Sequence, residues 1–456
     1  MTGLRIELRR STALWAGLVV LVSGTGMLWL VTSENAAWKG NSTSALLAFR
    51  VPVAYVWALV VGLAVFQGMR DSRARVTELF TSTSRPGWVR LGTLATAVAG
   101  VVAVAAALLS AGLVAIVVLG GGFVSTGFVP LMLTVVLALA SSVLLGLALG
   151  RLLPHPLTVP VALVATFMVA TAAGRALEVQ APGDPISRLA LLTPVFDPPD
   201  SDLVTTSTSV DVGQAVWFAG LGVTAFLVLV ARTWAGRLAA LVPAGLAVAL
   251  AVSILPAKYS DLLVTDSIAG RLVCDGPVCV SRVHEASLPV AAAAGKEALA
   301  KLAVLPGAPT NVHEDTSAMS HLVAAPRSGE IVLLSSQGIY SVTEGYRRPL
   351  ELEPGQIRLE LFAGAGVAPC AAPNSFNFQE GIVRYVTAGY FNGGLAELPT
   401  DPHTWRNTRT RAEIDTAWQA FRAQPAREQL DRVAKARQML LKCEDPEAVL
   451  AGLVAP

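Results

Sequence analysis

The first 256 residues alternate between long apolar stretches and short polar loops. A helix needs about 20 mostly apolar residues to cross the roughly 30 Å hydrocarbon core of a membrane. Seven stretches approach or exceed that length, and we predict a transmembrane helix at each of them: residues 12–32, 46–67, 91–119, 129–149, 157–173, 214–230 and 238–255. The fifth stretch carries the weakest of these predictions, because it is short and Pro160 interrupts it.

The pattern changes after residue 256, where apolar and polar positions mix as they do in a soluble domain. Helical spacing predicts helices over residues 288–305, 376–391, 411–424 and 426–442. Alternating or short apolar runs predict strands over residues 330–335, 338–342 and 356–362. The predicted fold class is an α-helical integral membrane bundle of about seven transmembrane helices, residues 1–256, followed by a soluble α+β domain, residues 257–456.

Composition agrees with this fold class. Of the 456 residues, 53% are hydrophobic and 14% are charged, whereas soluble proteins average about 25% charged residues. These values exclude a single soluble domain, and they exclude a disordered, fibrous or nucleic-acid-binding protein. We therefore expect membrane lipid, and no nucleic acid, among the partners of this chain.

Basic residues concentrate in alternate loops, and such an asymmetry orients a membrane protein because basic loops stay in the cytoplasm. The basic loops precede the first stretch, join the second to the third, follow the fourth, and join the sixth to the seventh: Arg5, Arg9, Arg10, Arg70, Arg73, Arg75, Arg85, Arg90, Arg151, Arg232 and Arg237. We predict a multi-pass plasma-membrane protein with a cytoplasmic N-terminus and an extracytoplasmic C-terminal domain. The first stretch resembles a signal peptide, but no clear Ala-x-Ala-like cleavage site follows it, so we interpret it as retained.

All four cysteines lie in the domain predicted to be extracytoplasmic, where disulfides persist, so we predict two disulfides. Cys274 and Cys279 are close enough in sequence to close a small loop, which leaves Cys370 to pair with Cys443. A zinc site is the alternative. A C-x4-C pair followed by two distant single cysteines is poor zinc spacing, however.

The predicted spans carry almost no charge. No acidic residue falls inside them, and the single basic one is Arg50, about one turn from the outer end of the second span, where it could snorkel. Ion-driven transporters usually keep an ionisable residue or an unwound helix near the membrane midplane, so a self-powered secondary transporter is not indicated. The chain also lacks a G-x-x-x-x-G-K-[ST] phosphate-binding loop. If this protein moves a substrate, another subunit supplies the energy.

The most informative loop runs from residue 69 to residue 90, between the second and third predicted spans. Its first half has helical spacing, with Val76, Leu79 and Phe80 on one side. One interpretation is a basic juxtamembrane loop that lies on anionic lipid. The other interpretation is a short amphipathic helix presented to a cytosolic partner.

Three segments resemble permeases of ABC transporters of the ABC-2, or exporter, type: residues 4–10 (LRIELRR), 77–85 (TELFTSTSR) and 186–194 (ISRLALLTP). In that family a short helix after the second span touches a separate cytosolic ATP-binding subunit. The resemblance therefore implies an ATPase-coupling role for one set of residues: Arg73, Arg75, Glu78, Leu79, Phe80 and Arg85. It also implies that the partner subunit binds ATP, that this chain holds no cofactor, and that it forms a homodimer or a heterodimer with a second permease.

The resemblance covers about residues 1–232 and rests on topology and loosely patterned loops. A seventh span and a large external domain depart from the family, although a segment like residues 274–280 opens an external domain in some actinobacterial members. The implied function is the permease subunit of an ABC exporter. The alternative is a membrane-anchored extracytoplasmic binding or assembly protein, for which seven spans are more than an anchor needs.

Candidate catalytic and metal-binding residues are sparse, so we expect neither an enzyme nor a metal site. His284 and Glu285 begin like the H-E-x-x-H motif of zinc proteases, but Leu288 stands where the second histidine must be. No G-x-S-x-G motif of a hydrolase occurs. A second set of possible ligands is interpreted as solvated loop residues: His313, Glu314, Asp315 and His321.

Overall fold

The structure, a computed structural model, describes residues 13–32, 40–74, 87–178, 181, 183–196, 201–318, 329–334, 353–370, 377–399 and 401–455. The chain divides into two compact units. The first unit consists of Met1–Pro198 and Thr205–Val264 and contains the long apolar helices. The second unit consists of Pro199–Val204 and Thr265–Pro456 and contains a four-stranded sheet.

The first unit is a bundle of apolar helices. Its described helices are α1 (Ala13–Thr32), α2 (Ser42–Phe49), α3 (Val53–Gly68), α4 (Arg70–Arg73), α5 (Gly87–Leu119), α6 (Phe128–Leu152), α7 (Thr158–Arg175), α8 (Thr208–Val230), α9 (Trp234–Ala239) and α10 (Val242–Ile254). Within the described residues, α5, α6, α7, α8 and the stretch Trp234–Ile254 are long and apolar enough to cross a membrane. The bent pair α2–α3 is a sixth candidate, and α1 is apolar over a shorter length, Ala13–Trp29. The helices fit a multi-pass membrane protein, but they do not confirm seven spans.

The second predicted span is not one continuous helix. Helix α2 ends at Phe49, α3 begins at Val53, and the two helices are bent by 52° relative to each other. Pro52 lies at this break. Proline has no N–H to continue the hydrogen-bond ladder, and its ring clashes with the preceding turn, so a straight helix through this position is disfavoured.

Helices α3 and α6 approach each other closely at glycine residues. A Cβ atom at Gly150 would lie 2.1 Å from the Val65 carbonyl oxygen, and one at Gly68 would lie 2.4 Å from the Leu147 carbonyl oxygen. Helices in a membrane associate largely through such close packing of small residues, because lipid tails are as apolar as the helices themselves. Glycine at positions 68 and 150 therefore permits this helix pair.

The second unit combines helices with a sheet in the strand order β3-β4-β5-β6. The strands of the structure are β1 (Val204–Thr206), β2 (Leu263–Thr265), β3 (Leu272–Asp275), β4 (Val278–Ser281), β5 (Val312–Asp315) and β6 (Ile331–Leu334), and β1 pairs with β2 in a separate sheet. Strands β3 and β4 are antiparallel, and β4–β5 and β5–β6 are parallel. The helices are α11 (Leu288–Leu302), α12 (Pro354–Phe362), α13 (Phe378–Asn392), α14 (Pro402–Arg406), α15 (Thr408–Arg422), α16 (Ala426–Leu441) and α17 (Pro446–Val454). One apolar core joins this sheet to the helices through residues such as Val280, Phe362, Tyr385, Phe421 and Leu453.

The four helices predicted in the C-terminal half are confirmed as α11, α13, α15 and α16, and the predicted strand at 330–335 is confirmed as β6. The strand predicted at 356–362 is wrong, because these residues form helix α12. A capping box between Glu353 and Gln356, with Pro354 in the first turn, starts a helix here. The strand predicted at 338–342 lies outside the described residues.

The predicted disulfide between Cys274 and Cys279 is confirmed. The two residues face each other across the β3–β4 hairpin, with their Cα atoms 4.0 Å apart. Gly276 has a φ of +61° in the intervening turn, a conformation that favours glycine. The disulfide therefore ties the two strands at the closed end of the hairpin.

The second predicted disulfide is not formed, since no bridge joins Cys370 to Cys443. The Cys370 thiol donates to the Leu440 carbonyl oxygen, at 3.5 Å. Cys443 lies just beyond the end of α16, exposed, with a φ of +51°. This left-handed residue turns the chain at the helix end, and the two sulfur atoms are not joined.

Candidate functional site

The structure describes the two ends of the 69–90 loop, which together form its base. At one end α3 leads into α4, and at the other end the chain enters α5. Asp71 in α4 accepts a hydrogen bond from Nη1 of Arg90, at 2.8 Å. Because Arg90 lies in the first turn of α5, this ion pair ties the two sides of the loop together. We call the end of the bundle where α3 ends and α5 begins the basic end.

Arg73 packs back onto α3. Its guanidinium carbon lies 3.7 Å from the centroid of the Phe66 ring, and its Nη2 atom donates to the Phe66 carbonyl oxygen at 3.0 Å. An arginine over an aromatic face is attracted by the electron-rich ring. Among the predicted coupling residues, Arg73 alone is described, and the others lie outside the described residues: Arg75, Glu78, Leu79, Phe80 and Arg85.

Arginines from four separate segments interact electrostatically at the basic end. Arg151, in the last turn of α6, interacts electrostatically with Arg90, Arg232 and Arg237, and with one acid, Asp71. Arg232 follows α8 and is exposed, and a Cβ atom at Gly87 would lie 2.9 Å from its Nη2 atom. We call Arg90, Arg151, Arg232 and Arg237 the basic cluster. Four cations beside one carboxylate create a positive surface, which attracts acidic protein surfaces or anionic lipid head groups.

Arg50 occupies a second site, at the break between α2 and α3. The sequence-based expectation that it snorkels is wrong, because its side chain is 1% exposed. Its Nε atom donates to the Pro194 carbonyl oxygen at 2.9 Å, and its guanidinium carbon lies 5.6 Å from the centroid of the Phe196 ring. Among the described residues, its Nη1 atom has no hydrogen-bond partner. The segment before Pro194 contains a short 3-10 helix, Ala190–Leu192.

Helix α8 supplies the remaining groups near Arg50. Gln214 accepts from Arg50 at 2.7 Å through Oε1, and its Nε2 atom donates to the carbonyl oxygens of Leu191 and Thr193 at 2.7 and 3.0 Å. Asp211 lies in the first turn of α8 and interacts electrostatically with Arg50. The predicted sixth span began at residue 214 and so missed this acid, which corrects the expectation of spans without acidic residues.

A third polar cluster lies within the second unit. His284 bonds through Nε2 to Asp202 Oδ2 at 2.9 Å and through Nδ1 to Glu314 Oε1 at 2.7 Å. Ser281 donates its backbone N–H to Glu314 Oε2 at 2.6 Å. Burial alone would lower the pKa of His284, but the Asp202 and Glu314 carboxylates outweigh this effect and raise that pKa to about 10. His284 is therefore an imidazolium held between two carboxylates.

This cluster corrects the interpretation of residues 313–315 as solvated loop residues. They lie on β5, where Glu314 is 1% exposed and Asp315 is also buried. Burial raises the pKa of Asp315. His313 points to the other side of the strand, 3.2 Å from Glu330. The part of the chain that the structure describes contains no group of three His, Cys, Asp or Glu residues that could hold a metal ion, and His321 lies outside it.

Comparison with known proteins gives no relative. No family model matches the chain, and neither a curated protein nor a solved structure matches it. The site assignments therefore rest on the geometry of this chain.

Two of these clusters escaped the sequence interpretation for identifiable reasons. For the Arg50 site the sequence did carry a signal, because Pro52 follows this charge within one apolar stretch. Proline interrupts a helix, and a charge among apolar residues needs a partner. Asp202 gives no comparable signal. It lies 82 residues before His284, and only the folded chain brings the two together.

Proposed function

We propose that this chain is the membrane-spanning permease subunit of an ABC exporter, driven by a separate cytosolic ATP-binding subunit. The partner contacts the loop between residues 69 and 90, and the basic end faces the cytoplasm. The N-terminus is then cytoplasmic and the domain at residues 257–456 is extracytoplasmic. The permease works as a dimer, with a second copy or with a homologous chain.

The observation that carries this proposal is the basic cluster around the base of the loop. Its arginines come from α5, α6, α9 and the segment after α8, so the positive surface depends on the folded bundle. An acidic surface on a cytosolic subunit would be attracted to it. The Asp71–Arg90 ion pair joins the two described sides of this loop.

The test is affinity purification of the full chain in mild detergent from its native host, with the co-purifying chains identified by mass spectrometry. We expect a stoichiometric chain that carries a P-loop, and we expect Glu78→Arg to remove it. Arg232→Glu should also weaken the association, because Arg232 is the exposed member of the basic cluster. Arg175→Glu is the matched control, since Arg175 is exposed at the opposite end of α7.

If the chain is intact and monodisperse but brings no P-loop protein with it, the proposed function fails. The alternative function would then be favoured, in which the second unit is an extracytoplasmic binding or assembly module. Its own core and sheet make that role physically reasonable. Binding of cell-wall or cargo material to the full chain, unaffected by Glu78→Arg, would support it.

A further inference from the structure

A cavity of about 120 Å³ lies among helices α1, α3, α5 and α6 of the first unit. Its lining is almost wholly apolar and includes Trp15, Val19, Leu63, Phe66, Gln67 and Val98. A single water molecule needs about 10–15 Å³ and at least two polar partners. The cavity has ample room for water but offers it few partners. An apolar ligand suits it better, because it restores the dispersion contacts that the walls of an empty cavity lack.

The mouth of the cavity lies on the surface of the bundle. Trp15 is 68% exposed and Phe66 is 44% exposed, whereas Val60 and Val98 in the lining are buried. A surface of this kind on a membrane-spanning bundle faces the acyl chains of the bilayer. A ligand can therefore enter sideways from the lipid.

The rim of the cavity carries a positive charge. Phe66 and Gln67 belong to the last turn of α3, and the exposed Arg73 lies over the Phe66 ring at 3.7 Å. Trp15 belongs to the first turn of α1 and places an aromatic ring at the same rim, as interfacial tryptophans do. An apolar cavity with a cation beside its opening is complementary to an amphiphile with an anionic head group.

We propose that this cavity binds a segment of one acyl chain of an anionic membrane lipid and that Arg73 pairs with the phosphate group of that lipid. The inference requires that the chain lies in a membrane, but it requires no ATP-binding partner, so it goes beyond the proposed function. Arg73 lies near the start of the loop to which we assign partner contact, residues 69–90. A lipid bound here therefore lies at the base of that loop. The lipid composition of the membrane then affects the segment to which the partner subunit binds.

The experiment uses the full chain in lipid nanodiscs, without any partner subunit. Phosphatidylglycerol and phosphatidylcholine that carry the same photoreactive acyl chain are added in turn, and the labelled peptides are mapped by mass spectrometry. We expect phosphatidylglycerol to label peptides within residues 13–20 and 60–67 several-fold more strongly than phosphatidylcholine.

Two variants, each with a matched control, separate the cavity from the charge. Val19→Phe fills the cavity and should reduce labelling at least several-fold, whereas Val22→Phe, one turn further along α1 and 65% exposed outside the lining, should not. Arg73→Gln should keep the labelling but remove the preference for phosphatidylglycerol. Arg175→Gln, an exposed arginine at the far end of α7, should leave that preference intact.

Three results would overturn the inference. The first is equal labelling by both lipids in the wild-type chain. The second is labelling that Val19→Phe does not reduce in a monodisperse sample. The third is protein–protein cross-linking at residues 13–20 in place of lipid labelling, which would show a second copy on this face. A preference for phosphatidylglycerol that persists in Arg73→Gln would overturn the inference as well, so this surface variant still decides the question should Val19→Phe fail to fold. Failure of the ATP-binding partner to co-purify would leave the lipid result unchanged, so the two proposals can fail separately.

Discussion

Nη2 of Arg50 donates to Oε1 of Gln214 at 2.7 Å, across 164 residues of sequence. The bond joins the α2–α3 break to the second turn of α8, while Nε of the same guanidinium holds the Pro194 carbonyl oxygen. One buried cation therefore fastens three segments of the bundle. Any rearrangement that separates α3 from α8 at this level must first break these bonds.

Removal of the Arg50 guanidinium should destabilise the first unit. Arg50→Met leaves Gln214 Oε1 and the Pro194 carbonyl oxygen without this donor, and we expect a loss of about 3 kcal/mol, since breaking a buried charged interaction is costly. The stability of Arg50→Lys should lie between those of Arg50→Met and the wild type, because one ammonium group cannot reproduce the planar, two-bond geometry of the guanidinium. Thermal unfolding of the detergent-solubilised chain measures the effect.

The control for this series is Arg232→Met, which removes an exposed arginine of the same unit. If Arg50→Met unfolds at the same temperature as Arg232→Met, the buried bonds of Arg50 do not stabilise the bundle.

The close approach of α3 and α6 should not tolerate a side chain at residue 150. Gly150→Ala places a Cβ atom 2.1 Å from the Val65 carbonyl oxygen, so the helices must separate. We expect a loss of about 1–3 kcal/mol and a lower yield of monodisperse protein by size-exclusion chromatography. Gly100→Ala is the control, because apart from its chain neighbours and the adjacent backbone of its own helix no atom lies within 4 Å of the position its Cβ would take. Equal yields for the two variants would mean that the helices do not pack as described.

The His284 cluster should make stability depend on pH. The pKa of His284 is about 10 in the folded chain, against an ordinary value of 6.5. The folded state binds this proton more tightly, so the stabilisation is complete below pH 6.5 and is lost as pH rises toward 10. At about 1.4 kcal/mol per pKa unit, the contribution is up to about 5 kcal/mol.

Unfolding of the full chain followed at a series of pH values tests this dependence. The wild type should lose stability between neutral and strongly basic pH relative to His284→Gln. His155→Gln serves as the control, since His155 is exposed in the loop after α6, and it should follow the wild type. Parallel pH profiles for wild type and His284→Gln would contradict the imidazolium assignment.

Thiol titration distinguishes the two disulfide arrangements. The structure bridges Cys274 to Cys279 and leaves Cys370 and Cys443 unbridged, so two thiols should react per chain after denaturation without reductant. Cys443 should react first in the native chain, because it is exposed. Removal of the hairpin disulfide should cost about 2 kcal/mol, given the short loop it closes. A count of zero thiols would restore the second bridge predicted from the sequence.

Sequence patterns predicted the elements whose signal is local. The apolar stretches at 91–119, 129–149, 157–173 and 214–230 each correspond to a helix of spanning length, and the amphipathic stretch at 376–391 corresponds to α13. Length and hydropathy decide such helices because each residue contributes through its own transfer free energy. The hairpin disulfide was predictable for the same reason, since its cysteines are only five residues apart.

The errors share a different physical origin. Residues 356–362 alternate in polarity like a strand, yet a capping box and a proline begin a helix there, and its packing against α11 and α13 buries Ile357, Leu359 and Leu361. Hydropathy averaged over residues 46–67 did not indicate the break at Pro52. Local hydropathy does not record where a hydrogen-bond ladder is interrupted.

Local sequence patterns were enough to predict an apolar helical half, a mixed C-terminal half and a basic loop at residues 69–90. The folded chain, by contrast, was needed to place Arg50 against Gln214 and His284 between Asp202 and Glu314, and to bring Arg151 within electrostatic range of Asp71 and three other arginines. The physical reason is that a charge or polar group is stabilised by whichever partner the fold brings within hydrogen-bond distance, and these partners are tens to more than a hundred residues away along the chain.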